Sequence, residues 1–220
     1  MSIKLVVFDL DGTLLDSVQD LAQAVNVTLR QLSPGVEPLD VSVVASFVGD
    51  GIGKLLARSL ERAGLSHGVE QAQPLLLEAY EGCMLETTRL YPGVEETLDA
   101  LADRLLAVLT NKPGGMSRTI LDSLGVGGRF LRVLGGDEAP RKPNPDGLRA
   151  LMKEAGTTPE TTVMVGDSAV DVETARAAGV PVVGVSYGLK PEGLRTAGPN
   201  IVLDDLRRLP DEIERMSMLL

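Results

Sequence analysis

The sequence predicts an α/β protein: a Rossmann-like, doubly wound parallel sheet with an all-helical cap inserted after the first strand. Three observations carry that expectation. Leu5-Val6-Val7-Phe8 is a short, β-branched apolar run of the kind that forms a strand buried on both faces. Between Asp16 and Glu86 nothing reads convincingly as a strand, and apolar residues recur at helical spacing. Beyond Tyr91-Pro92-Gly93 strand-like and helix-like segments alternate, the rhythm of parallel strands joined by covering helices.

In chain order, the first strand ends in Asp9-Leu10-Asp11-Gly12-Thr13, and Asp16 is placed to cap a helix over Ser17 to Leu32. Its apolar residues, Val18, Leu21, Val25, Leu29 and Leu32, fall on one face. Ser33-Pro34-Gly35 breaks it. Further helices are expected over Asp40 to Phe47, Lys54 to Ala63, and about Val69 to Met84, with a Gly-rich joint at Gly49 to Gly53. That joint is either a simple helix break or a loop reaching into the site. So long a stretch exceeds most crossovers between parallel strands. Residues 16–86 are therefore assigned to the cap, and 1–15 with 87–220 to the α/β core. In the core, helices are expected at Val94 to Asp103, Ser117 to Leu124, Pro145 to Ala155 (Asn144 as N-cap), Ala169 to Ala178 and from Asp204 onward. Strands are expected at Leu105 to Leu109, Leu131 to Leu134, Thr162 to Val165, Val180 to Val185 and Ile201-Val202.

Composition narrows the function. At 44% hydrophobic and 24% charged, the chain has material for an ordinary core and little tendency to disorder. A net charge of -10 argues against general nucleic-acid binding and against attraction to anionic membranes. An anionic substrate is still possible where a metal and a lysine set the local field. With Cys83 the single cysteine, no intramolecular disulfide can form, and its side chain is read as a small buried apolar group. No basic-then-apolar leader opens the sequence and no apolar stretch could span a bilayer, so the expected compartment is the cytoplasm. The one histidine, His67, is read as a loop residue.

Four polar clusters follow strands, where ligands bind in open parallel sheets. Asp9 and Asp11 form the first: a carboxylate pair at a strand end calls for a cation, and Mg²⁺ with its oxygen ligands suits it. One carboxylate can then attack phosphorus. Asp-Gly is also a common turn dipeptide, so this pair has a plain surface-turn alternative. Thr110-Asn111 is the second; a hydroxyl and an amide there can hold phosphoryl oxygens, or simply build a strand-to-helix turn. Lys142, between prolines in Pro140-Arg141-Lys142-Pro143, is the third, a preorganised ammonium or a solvated basic loop, with Arg141 left on the surface. Asp167 and Asp171, within Gly166-Asp167-Ser168-Ala169-Val170-Asp171, are the fourth, either metal-binding carboxylates or helix-capping groups.

Asp9-Leu10-Asp11-Gly12-Thr13, Thr110-Asn111, Lys142 and Gly166-Asp167 with Asp171, in that order, resemble the four motifs of the haloacid dehalogenase superfamily. The resemblance covers essentially the whole chain. It implies that Asp9 is a nucleophile forming an aspartyl-phosphate, and that Asp11 is first general acid and then general base. Thr110, Asn111 and Lys142 would bind the phosphoryl group, with Lys142 also orienting Asp9. Mg²⁺ would be bound by Asp9, the backbone carbonyl of Asp11, and Asp167, with Asp171 standing behind these ligands. Asp at position 11 speaks against the carbon-acting dehalogenases of the superfamily. Gly12 to Ser17, Phe47 to Gly51, Thr110-Asn111-Lys112-Pro113 and Gly135-Gly136-Asp137 look like its phosphoglycolate phosphatase branch. The implied partner is a small phosphorylated metabolite. Sugar-phosphate phosphatases, pyrophosphatases and a phosphomutase share most of this pattern. From another class, phospho-accepting signalling modules use similar residues but lack so long a helical insertion.

Overall fold

The computed structural model describes residues 2–219. Strand β1 (Leu5–Phe8) is completely buried, and its side chains alternate between two cores. Leu5 and Val7 join one hydrophobic cluster, Val6 and Phe8 the other. A strand covered on both faces has no use for a polar side, which is why its sequence is unbroken apolar.

The chain then makes a two-residue strand, β2 (Leu15–Asp16), and enters helices α1 (Val18–Leu32), α2 (Val41–Phe47), α3 (Ile52–Arg62) and α4 (Val69–Cys83). It returns through β3 (Arg89–Leu90), which pairs antiparallel with β2, Leu15 opposite Leu90 and Asp16 opposite Arg89. This ribbon was not expected from the sequence. Asp16 lies in it, 3.6 Å from Arg89, rather than capping α1. Ser17 occupies the N-cap position, but its hydroxyl is turned to Asp11. In α1, Leu21, Val25 and Leu29 are buried as their spacing required, and they belong to one cluster with Ala72, Leu76 and Tyr80 of α4.

Asp20, fully buried in α1, ties the outgoing and returning chains together. Its carboxylate accepts the Thr87 N–H (3.0 Å) and hydroxyl (2.6 Å) and the Thr88 N–H (2.9 Å) and hydroxyl (2.7 Å). Burial alone would raise its pKa, but these donors override that and hold it below the ordinary carboxylate value. Its contribution to stability is therefore fully present above the unfolded carboxylate range and is lost as pH falls through the depressed folded pKa. Asp20→Asn is expected to destabilise the protein by about 2–4 kcal/mol at neutral pH, because an amide turns an N–H toward donors. Denaturant unfolding checks this; a loss below about 1 kcal/mol would contradict it.

Past the ribbon the chain runs α5 (Val94–Ala100), β4 (Leu105–Leu109), α6 (Gly114–Ser123), β5 (Arg132–Leu134), α7 (Asp146–Ala155), β6 (Thr162–Gly166), α8 (Ala169–Ala178), β7 (Val182–Val185), α9 (Pro191–Ala197), β8 (Ile201–Leu203) and α10 (Leu209–Leu219). The expected parallel sheet is present, six strands in the order β5-β4-β1-β6-β7-β8. Buried residues of α7, α8 and α9 share one cluster with the sheet, and those of α5, α6 and α10 share the other. Several bounds differ from expectation. α6 begins before Ser117, α9 was not foreseen, and residues 204–208 precede α10 as a turn with a short 3-10 segment. Pro145 is the N-cap of α7, while the Asn144 side chain accepts the Asp146 N–H at 2.8 Å.

Topology positions the site. From β1 the sheet grows outward through β4 and β5 on one side and through β6, β7 and β8 on the other, so the direction of winding switches at the centre. Phe8 lies level with Val108 and Val165. The residues that follow these strands, Asp9, Thr110 and Asp167, therefore emerge along one carboxyl edge at the switch point, where open sheets form their crevice.

Candidate active site

Asp9 leaves β1 with its N–H donated to the Val165 carbonyl (2.8 Å), so its backbone is fixed to the neighbouring strand. Its buried carboxylate lies 2.7 Å from the Lys142 ammonium, which also lies 2.7 Å from Asp171. The second Asp171 oxygen accepts the Ser168 hydroxyl (2.7 Å) and N–H (3.1 Å), a capping box that fastens the start of α8. Asp171 thus caps the helix, the structural alternative its position offered, and at the same time holds Lys142. Asp167 accepts the Leu189 N–H at 2.7 Å.

Oxygens of Asp9, Asp167 and Asp171 lie within 4.8 Å of one another. Burial is the main cause that raises the pKa of Asp9, with repulsion from Asp171 next and Lys142 opposing. Burial likewise raises Asp167, again with Asp171 adding. Burial would lower Lys142, but Asp171 and Asp9 outweigh it and hold the ammonium charged. Three crowded carboxylates around one ammonium leave surplus negative charge, and an all-oxygen donor set of this kind fits a hard divalent cation such as Mg²⁺. Gly12 leaves room for this cluster: at φ +88° it adopts a left-handed turn, and a Cβ there would sit 2.3 Å from Asp167 Oδ2. Asp171, expected behind the ligands, is one of the three converging groups. The Asp11 carboxylate is not among them, so its expected part in metal binding rests on the backbone carbonyl alone.

Asp11 instead accepts the Ser17 hydroxyl at 2.5 Å and the Lys112 ammonium at 2.7 and 2.9 Å. Lys112 was quoted in the sequence but given no role, and it is 7% exposed. Its signal was position: a charge directly after a buried strand and a Thr-Asn pair has little water to reach. Thr110 is buried, and its oxygen accepts the Lys112 N–H at 3.2 Å, which leaves its own proton to donate.

Asn111 is engaged differently from the phosphoryl contact expected of it. Its amide donates to the Gly49 carbonyl (2.9 Å) and the Lys142 carbonyl (3.1 Å), and its oxygen accepts the Lys142 N–H (2.8 Å). With both N–H groups used, the side chain is a clamp that sets Lys142 and the Gly49 loop. The Gly-rich joint therefore does reach the site, and Val48, Gly49, Gly51 and Ile52 line the same narrow cleft as Asp9, Asp11 and Thr110. Arg141 and His67 are exposed. Cys83 is buried against the Asp20 carbonyl, its thiol pushed up to about 11 by burial.

Residues 6–185 match the family described as haloacid dehalogenase-like hydrolase. A phosphoglycolate phosphatase of Rhodospirillum rubrum is 42% identical over 218 residues, covering 94% of this chain and 90% of that protein. One from Pseudomonas putida is 41% identical over 216 residues, covering 94% of this chain and 78% of its own. A crystal structure described as a predicted phosphoglycolate phosphatase from Haemophilus somnus superposes with a TM-score of 0.90 at 31% identity, over 96% of this chain and 98% of that one. With a family match over most of its length, relatives similar nearly end to end, and the acidic cluster at the sheet's switch point, the chain belongs to the haloacid dehalogenase-like hydrolases.

Proposed function

We propose that this enzyme, a phosphatase of the haloacid dehalogenase superfamily, is a Mg²⁺-dependent phosphomonoester hydrolase that converts 2-phosphoglycolate to glycolate and phosphate through an aspartyl-phosphate on Asp9. The observation that carries the chemistry is the Asp9 carboxylate held at 2.7 Å by Lys142 beside Asp167 and Asp171. The relatives named phosphoglycolate phosphatase, similar over 94% of the chain, support the substrate.

In the first half-reaction an Asp9 oxygen bonds to phosphorus as the ester oxygen departs, taking a proton from the Asp11 carboxyl. Thr110 and Lys142 hold the phosphoryl oxygens while phosphorus changes geometry. In the second, Asp11 takes a proton from water, whose oxygen attacks phosphorus; the bond to Asp9 breaks and its carboxylate is restored. Asp9, Asp167 and the backbone carbonyl of Asp11 would hold Mg²⁺, which would supply the positive charge that lets an anionic nucleophile and an anionic phosphate approach. Residues 16–86 act as a cap over the core of 1–15 and 87–220; the Asn111 contact to Gly49 and the Lys190–Asp50 pair at 3.8 Å are the contacts through which the Gly49 loop seats on the core. Closure excludes water during the first transfer.

The substrate is a small phosphorylated metabolite rather than nucleic acid or lipid, in keeping with the charge of -10. Among the described residues no helix is long and apolar enough to cross a membrane. A cytoplasmic location is part of the proposal.

Phosphate release from 2-phosphoglycolate, with and without Mg²⁺, compared by kcat/KM with sugar phosphates and pyrophosphate, tests the reading. A preference of about 100-fold, or about 2.7 kcal/mol of transition-state discrimination, is expected, with activity lost on chelation. A flat profile would remove the substrate assignment and leave the phosphatase. No Mg²⁺-dependent release from any ester would return the chain to the phospho-accepting class.

A further inference from the structure

The catalytic scheme leaves Lys112 without work to do. An ammonium this buried requires an anion, and here it has taken Asp11, lying within 2.9 Å of both carboxylate oxygens. Yet Asp11 must face the leaving group to protonate it. Something has to draw Lys112 away as substrate enters.

Next to the pair stands Tyr80, from α4 of the helical insertion. Lys112 Nζ is 4.8 Å from its ring centroid, the side chain is 1% exposed, and its hydroxyl makes no hydrogen bond of ordinary geometry, with the Lys112 ammonium as its charged neighbour. Buried hydroxyls are normally satisfied, so an unpartnered one on the wall of a cleft points to a ligand group that it serves. Tyr80, Lys112 and Asp11 all line the cleft beside Thr110. The rest of the wall sets the apolar side chains of Leu21, Val48, Ile52 and Leu55 beside Asp9 and Asn111.

We propose that Lys112 and Tyr80 form the receptor for a carboxylate on the substrate's leaving group. As 2-phosphoglycolate binds, Lys112 exchanges the Asp11 carboxylate for the substrate's, Tyr80 donates its hydroxyl to the same group, and the freed Asp11 carboxylate takes up a proton from solvent and turns toward the ester oxygen. This rests on the phosphoglycolate reading above and adds how that substrate is chosen. The ammonium keeps one carboxylate partner throughout, so it is never buried unpaired. An ester with a neutral leaving group offers no replacement and leaves Asp11 locked to Lys112, which rejects the wrong substrate as well as favouring the right one. Lys112 lies two residues beyond Thr110, which places the carboxylate receptor beside the phosphoryl site, as a substrate with a single carbon between ester oxygen and carboxylate requires.

The test compares kcat/KM for 2-phosphoglycolate with that for 2-hydroxyethyl phosphate, similar in size but neutral at its far end, in the wild type, Lys112→Met and Tyr80→Phe. The wild type is expected to prefer the carboxylate ester by about 100-fold, Lys112→Met to bring the two within about tenfold, and Tyr80→Phe to reduce the preference about fivefold, chiefly through KM. Loss of both activities in equal proportion in Lys112→Met would overturn the proposal, since a lysine that merely positions Asp11 serves every ester alike. If Lys112→Met does not fold, an unchanged preference in Tyr80→Phe would overturn it. A wild type that hydrolyses both esters equally would remove the receptor and leave the phosphatase; one that hydrolyses neither would remove the proposed function itself.

Discussion

Asp9→Asn is expected to lower kcat by at least about 10⁴-fold with the fold intact, because an amide can neither form the acyl phosphate nor be regenerated by water. The same variant reports on electrostatics. The folded pKa of Asp9 is raised by burial, so the folded state binds the proton more tightly than the unfolded chain. Its stabilising contribution is then present below the ordinary carboxylate range and is lost as pH rises toward the raised folded value, and Asp167 acts in the same sense. The metal-free wild type should therefore melt at progressively lower temperature between about pH 5 and pH 8. Asp9→Asn should be the more stable protein at the upper end. Added Mg²⁺ should flatten the wild-type slope, since a bound cation favours the ionised carboxylates. Wild-type activity in Asp9→Asn would remove the nucleophile assignment, and an unaltered slope would remove the electrostatic account.

Lys142→Met is expected to strike activity and stability together. Lys142 is the ammonium shared by Asp9 and Asp171, and its own side chain is 2% exposed. Methionine keeps the volume and removes the charge, leaving buried carboxylates facing one another. Breaking a buried pair from one side costs about 3–5 kcal/mol. Loss of a positioned donor to the phosphoryl oxygens should lower kcat about 10³-fold. Lys142→Arg should rescue little, because a planar guanidinium does not fit where a compact ammonium touches two carboxylates. Thermal melts without metal and phosphate release with Mg²⁺ measure the two effects. A melting temperature within a degree or two of wild type would mean that Lys142 is not what holds the acidic cluster.

The parts of this molecule that were legible in its sequence share a physical cause. Leu5–Phe8, Leu105–Leu109 and Thr162–Gly166 are strands in the middle of a sheet covered on both faces, so each had to be an apolar run, and such runs stand out. Charges that interrupt so buried a setting also stand out, which made Asp9, Lys142, Asp167 and Asp171 visible, and the structure brings these four together. Helices α1, α3 and α4 were legible because each must bury a stripe.

What escaped the sequence depends on pairs of distant residues. The β2–β3 ribbon is two residues on each side, too short for any pattern, and exists because α1 and α4 return the chain to the same point. α9 buries only Leu194, so it has no stripe to read. Asn111, suited by type to a phosphoryl oxygen, clamps Gly49 and Lys142, partners that only the packed sheet supplies. Lys112 carried its charge in plain view, but that its anion is Asp11 and its neighbour Tyr80 of α4 is settled only by packing between distant segments. Local pattern names residues whose burial or charge is unusual for their place in the chain. Which donor meets which acceptor is set by separations of a few ångströms between segments, and these arise only when the two hydrophobic cores close.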